Sequence, residues 1–233
     1  MMAIANIGFI ILTVSCIYFV HQFFCSKQFS EYSNQIGSKF LLISISWISF
    51  VSLLSLTGFL SNFSTFPPRV VLIIIIPLLF FIFFIAPSKK VNKHLESSPT
   101  HVLIFLQAFR IPVEILLWVL YKADALPIQM TYDGLNYDIV TGILAIPVGY
   151  YLFKKSAAHK FVGIIFNIIG LLLLVNIVSI AILSMPSPIR YFMNEPANVA
   201  VTWFPIVFLP AYLVPMAYYM HILSLKQLLL RKK

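Results

Sequence analysis

Residues 101–121 read HVLIFLQAFRIPVEILLWVLY, an apolar run interrupted by Gln107, Arg110 and Glu114. A helix needs about 20 such residues to cross a ~30 Å hydrocarbon core. Gln107, Arg110, Glu114, Trp118 and Tyr121 follow one another at spacings of three, four, four and three, so all five share one helical stripe. At a rise of 1.5 Å per residue, Arg110 lies about 13 Å and Glu114 about 20 Å from the start of the run, astride the middle of the core. An unpaired charge at that depth costs at least ~2.5–3.5 kcal/mol. Arg110 and Glu114 stand one turn apart, so each can neutralise the other, and both should face neighbouring helices. Pro112 between them leaves the Ala108 carbonyl without its helical donor and predicts a kink.

Six further apolar runs flank this one, roughly Met1–Phe24, Lys39–Leu60, Arg69–Ala86, Asp138–Phe153, Lys160–Ser184 and Val199–Ile222. The chain is 61% hydrophobic and 10% charged, whereas soluble domains carry about a quarter charged residues. The expected fold is therefore an all-α integral membrane protein, a single transmembrane domain over residues 1–233 built as a seven-transmembrane-helix bundle. The first run lacks a basic leader and a small-residue cleavage pattern and reads as a retained span, not a signal peptide. The fifth run is short and holds Thr141, Gly142 and Gly149, so a re-entrant segment is its alternative reading.

Loop charges set the orientation. Twelve of the sixteen Lys and Arg residues fall on the side reached after spans one, three, five and seven; Arg69, Lys122 and Arg190 fall on the other, and Arg110 is inside. The basic side is expected to be cytoplasmic. That places the N-terminus outside and the C-terminus in the cytoplasm, in a multi-pass protein of the plasma membrane. The net charge of +9 is thereby an anchoring pattern and gives no reason to expect nucleic acid; the partner expected is the lipid bilayer.

Several other polar residues are candidates for a site with the Arg110–Glu114 pair. Asn167 in span six should lie near the depth of Arg110, on a ridge with Gly163 and Gly170 that favours close helix approach. Asn176 points to nearly the opposite face. Span seven carries Pro205, Pro210 and Pro215, which predict a bent or locally unwound helix whose freed carbonyls need partners. Tyr212 and Tyr219 can present hydroxyls from one face of it. The loop Met130-Thr-Tyr-Asp-Gly-Leu-Asn-Tyr-Asp138 is unusually polar for this chain. Asn136 or Asp138 can cap the fifth helix; the alternative is an outward-facing ligand site of Asp133, Asn136 and Asp138, although their spacing is not that of a calcium loop.

Cys16 and Cys25 lie towards the reducing side, where no disulfide is expected, and no further soft ligands stand near them. His21, His94, His101, His159 and His221 all fall on the basic side and read as interfacial anchors; no HxxxH pair occurs, so neither a metal nor a cofactor is expected. A retinal protein needs a lysine within the last span, and the first one there is Lys226. Ser44, Ser46 and Ser52 have no histidine at matching depth, which argues against an intramembrane hydrolase. Two readings remain. One is a small-solute transporter or ligand-binding membrane protein with its site between spans four, six and seven, and a small molecule as partner. The other is a non-enzymatic scaffold whose charged pair only fixes packing.

Overall fold

The computed structural model describes residues 1–26, 28, 30–155 and 160–230 and is all-helical. Lys27, His159, Arg231, Lys232 and Lys233, which enter the reading of charge and histidine placement, lie outside the described residues. The helices are α1 (Met2–Cys25), α2 (Ser33–Leu56), α3 (Arg69–Ile85), α4 (Lys89–Ser97), α5 (Thr100–Lys122), α6 (Ile139–Lys155), α7 (Lys160–Leu183) and α8 (Val214–Leu230). Four of them, α1, α2, α5 and α7, are long and apolar enough to cross a membrane; α3 and α4 qualify jointly as a pair bent by 84°. The outward faces are apolar, as contact with a lipid bilayer requires. On α1, Ile4, Ile7 and Ile11 are exposed while Ala5, Phe9 and Leu12 face the bundle.

Prolines account for the irregular stretches. In α3, Pro77 has no N–H, and the helix widens into a π turn at Phe81–Ile85 before the bend. In α5, a 3-10 turn at Gln107–Phe109 lies just ahead of Pro112. The last helix departs most from expectation. Residues 199–208 form only a short 3-10 turn and bends, Leu209–Leu213 is a π turn, and regular helix begins at Val214 and runs to Leu230. Regular helix therefore does not coincide with the expected span Val199–Ile222 but begins and ends later in the chain. Pro215 cannot donate to the Ala211 carbonyl, and Trp47 Nε1 of α2 donates to that carbonyl instead, at 2.8 Å. Ala200, Val201, Ile206 and Val207 are nonetheless buried, so this irregular backbone is enclosed by protein, as it must be at membrane depth.

The α4 helix was not anticipated as an element. It carries Lys89, Lys90 and Lys93 on its outer face and buries Val91, His94 and Leu95. Gln227 of α8 donates to the Leu95 and Ser98 carbonyls at 2.8 and 2.7 Å, satisfying the carbonyls that end α4. This is the lysine-rich end of the bundle.

Helix α6 is short for a geometric reason. Antiparallel to α5, it packs Gly149 against Phe105 and Gly142 against Ile111. It thus starts near the level of Glu114 and leaves the last two turns of α5 uncovered. Residues 123–138 cover them. Asp124 takes the left-handed conformation (φ 53°), and Asp124 N and Ala125 N close back onto the Tyr121 and Leu120 carbonyls, which turns the chain sharply off α5. Leu126, Gln129 and Met130 are then buried beside it. The loop descends into the bundle instead of lying on its surface.

Candidate functional site

That descent delivers Asn136 and Asp138 to the charged stripe of α5. Arg110 Nε donates to Asp138 Oδ2 at 2.6 Å, and Arg110 Nη2 pairs with Asp138 Oδ1, a two-pronged contact. Asn136 Nδ2 donates to Glu114 Oε2 at 2.6 Å and to the Met130 carbonyl at 3.1 Å, while its Oδ1 accepts from the Asp138 amide at 3.0 Å. The expected mutual pairing of Arg110 with Glu114 is therefore corrected: the arginine takes Asp138 and the glutamate takes an amide. The physical reason is reach. The guanidinium fork matches a carboxylate approaching head-on from another element better than one a turn along its own helix. Asp138 is not spent on capping α6.

The remaining Arg110 donor points to α8. Arg110 Nη1 lies 2.9 Å from His221 Nε2, and His221 Nδ1 lies 2.8 Å from Asn167 Oδ1 of α7. Asn167 Nδ2 donates onward to Ser224 Oγ at 2.9 Å and to the Gly163 carbonyl at 2.7 Å. Arginine has no acceptor, so His221 Nε2 must be bare and the ring proton sits on Nδ1. Each link then runs in one direction, from Arg110 to His221 to Asn167 to Ser224. Arg110, Glu114, Asn136, Asn167, His221 and Ser224 are at most 1% exposed, and Asp138 5%. A side chain at Gly170 would overlap the His221 ring, so the glycine of the small-residue ridge makes room for it.

Sequence reasoning missed His221 as part of the site. It was placed at the inner end of the last span, as an anchor, because that span was ended at Ile222. With α8 running to Leu230, His221 lies about 13 Å from the helix end and at the level of Arg110. The three-proline pattern was the available signal, since it marks the first part of the run as broken and so shifts regular helix towards its far end. Thr141 and Ser224 were likewise not singled out.

The other candidates separate. Gln107, fully buried, donates to the Ala217 carbonyl at 3.1 Å, one turn from Arg110. Its Oε1 and the Thr141 hydroxyl, one turn from Asp138, are buried without a protein partner. Asp133 does not join Asn136 and Asp138; it accepts from Trp118 Nε1 at 2.9 Å on the exposed flank. Tyr212 faces α2 instead, its hydroxyl 3.1 Å from Ser44 Oγ. Asn176 is half-buried and donates to the Leu135 carbonyl at 3.0 Å. Cys16 and Cys25 are free. Among the described residues, no three His, Cys, Asp or Glu side chains stand together to hold a metal ion.

Apolar helices with lipid-facing surfaces around a buried polar cluster define a multi-span membrane protein. Residues 66–229 match the model of a family described as domain of unknown function (DUF8737), and the chain belongs to that family. The matched stretch contains the whole cluster. Comparison with curated proteins and with solved structures finds no match.

Proposed function

We propose that the chain crosses the membrane seven times, with its N-terminus outside and its lysine-rich end in the cytoplasm, and that the Arg110 cluster is a proton- or cation-coupled site for a small polar solute, as in a transporter. The crossing count takes residues 123–138 with α6 as the fifth crossing and residues 199–213 with α8 as the seventh. The twelve-to-three division of basic residues supports the orientation.

One observation carries the site reading. Two carboxylates share one guanidinium, and Arg110 gives its hydrogen bonds to Asp138 and His221, so the hydrogen bond Glu114 receives is from the Asn136 amide. A surplus buried carboxylate is costly, and a proton or small cation balances it. Gln107 Oε1 and the Thr141 hydroxyl flank the cluster and offer an acceptor and a donor to a guest.

The test is solvent access. In a protein with Cys16 and Cys25 replaced by serine, Gln107→Cys and Trp118→Cys are exposed separately to membrane-impermeant thiol reagents from each side. Labelling at Gln107→Cys that Glu114→Gln or a change of pH alters supports the reading. A folded protein that never labels there overturns it. Its successor is then a structural clamp, favoured by the unbroken chain from Arg110 to Ser224 that ties α5, α7 and α8 together. In that case Arg110→Met combined with Asp138→Leu leaves stability near wild type.

A further inference from the structure

A second feature lies on the other side of α8 from the charged cluster. Helices α2 and α3 follow one another in sequence but barely touch along their lengths. Between them, with α8 as the floor, runs a cleft of about 760 Å³. Its walls are aromatic and aliphatic, with Phe40, Phe50, Phe80 and Phe84 among them. The Phe81 ring stacks on Tyr219 at 4.2 Å and closes its back. One end is different. There Lys39 of α2 and Lys90 of α4 stand at the rim, and among the described residues no carboxylate lines the cleft. Lys39 is exposed with no hydrogen-bond or ion-pair partner among the described residues, while Lys90 Nζ is held by Gln35 Oε1 at 2.8 Å. The neighbouring Lys93 is already neutralised by Glu31 at 2.7 Å, so Lys39 and Lys90 are the uncompensated charges of this rim.

The depth is informative. From Lys39 to Phe50 along α2 is about 16 Å at 1.5 Å per residue, close to the ~15 Å hydrocarbon thickness of one leaflet. A cleft one leaflet deep, open sideways to the bilayer, mainly apolar along its length and cationic at its mouth has the dimensions and charge of a phospholipid with one acyl chain inserted. Basic pockets between membrane helices recognise anionic head groups in this way. We propose that the α2–α3–α8 cleft binds an anionic phospholipid of the leaflet on the lysine-rich side. Its phosphate lies between Lys39 and Lys90, and an acyl chain runs past Trp47 towards Phe50. The site is independent of the Arg110 cluster and does not require that cluster to transport anything. No bond is made or broken.

Trp47 lines the cleft and reports on it. A protein carrying Trp118→Phe and Trp203→Phe retains Trp47 as its only tryptophan. It is reconstituted in phosphatidylcholine bilayers containing a small fraction of acyl-brominated phosphatidylglycerol or, separately, the same fraction of acyl-brominated phosphatidylcholine. The expected result is at least threefold stronger quenching of Trp47 by the brominated anionic lipid. That preference should fall to unity when Lys39→Gln and Lys90→Gln are combined; both residues are at the surface, so the variant folds. Equal quenching by the two lipids overturns the proposal, as does a preference that survives loss of both lysines. A brominated fatty acid that competes out phosphatidylglycerol would also overturn it, in favour of a free carboxylate amphiphile.

Discussion

Arg110 is the residue on which the buried cluster depends. Among the described residues its guanidinium is the only cation paired with Asp138, and it fixes the His221 tautomer from the other side. Arg110→Ala leaves a carboxylate buried without a partner and is expected to cost about 3–5 kcal/mol of stability. Denaturant unfolding of the purified protein in detergent measures it, and a loss below about 1 kcal/mol would show that water already reaches Asp138. At this scale the sequence was informative about one helix at a time. The spacing of Gln107, Arg110 and Glu114 put them on one face and at mid-depth without any knowledge of neighbours. It could not pair Arg110 with Asp138, because that contact depends on how far residues 123–138 descend along α5. The left-handed turn at Asp124 and the burial of Leu126 and Met130 set that distance. The periodicity of either segment does not contain it.

Among the elements, α8 shows how a proline-interrupted helix is repaired by its neighbours. The Ala211 carbonyl freed by Pro215 is capped by the indole of Trp47, and Ser55 Oγ donates to the Thr202 carbonyl at 2.7 Å in the irregular stretch before it. Helix α2 therefore supplies donors along the length where α8 has not yet begun. Trp47→Phe keeps the ring's bulk but removes the N–H, leaving a buried carbonyl unsatisfied at a cost of about 1–3 kcal/mol. Thermal unfolding compared with a Trp203→Phe control reads that effect; equal melting of the two variants would mean the carbonyl has another donor. Three prolines at five-residue spacing told of a broken helix in advance. Where helix resumes was not legible, because Pro210 and Pro215 are both tolerated at the start of a regular segment and the choice falls to the donors on α2.

For the molecule as a whole, the lysine-rich end is held by a histidine. His94 on α4 is fully buried, with Nε2 3.1 Å from the Phe23 carbonyl and Nδ1 3.4 Å from Ser33 Oγ. Helix α4 turns 84° away from α3, and with Lys89, Lys90 and Lys93 exposed along it, it lies beyond the apolar part of that bent pair. Burial pulls the His94 pKa below its ordinary value of 6.5, and the Phe23 hydrogen bond opposes this only in part. The unfolded chain then binds a proton more readily than the folded one. Stability is full above pH ~6.5 and declines as pH falls below it towards the lowered value. His94→Gln should flatten that decline between pH 7.5 and 5.5, as followed by unfolding midpoints; an unchanged slope would assign it to other groups. The charge asymmetry between the two ends could be counted from the loops, but the inward folding of residues 123–138 and 199–208 could not, since the first reads as a surface connection and the second as the opening turns of a regular span. Their burial has a consequence for the surrounding bilayer. On the proposed seven-crossing topology α6, about 25 Å long, is shorter than a ~30 Å core, and Tyr132, Leu135 and Tyr137 of the loop beyond it, all exposed, would meet the lipid tails. On that topology the molecule has a thick flank at α1 and α2 and a thin flank at α6. A membrane must compress to match the thin one, and long-tailed lipids are disfavoured along that edge. Two copies meeting there would remove the mismatch from both, which makes bilayer thickness a physical control on whether they associate.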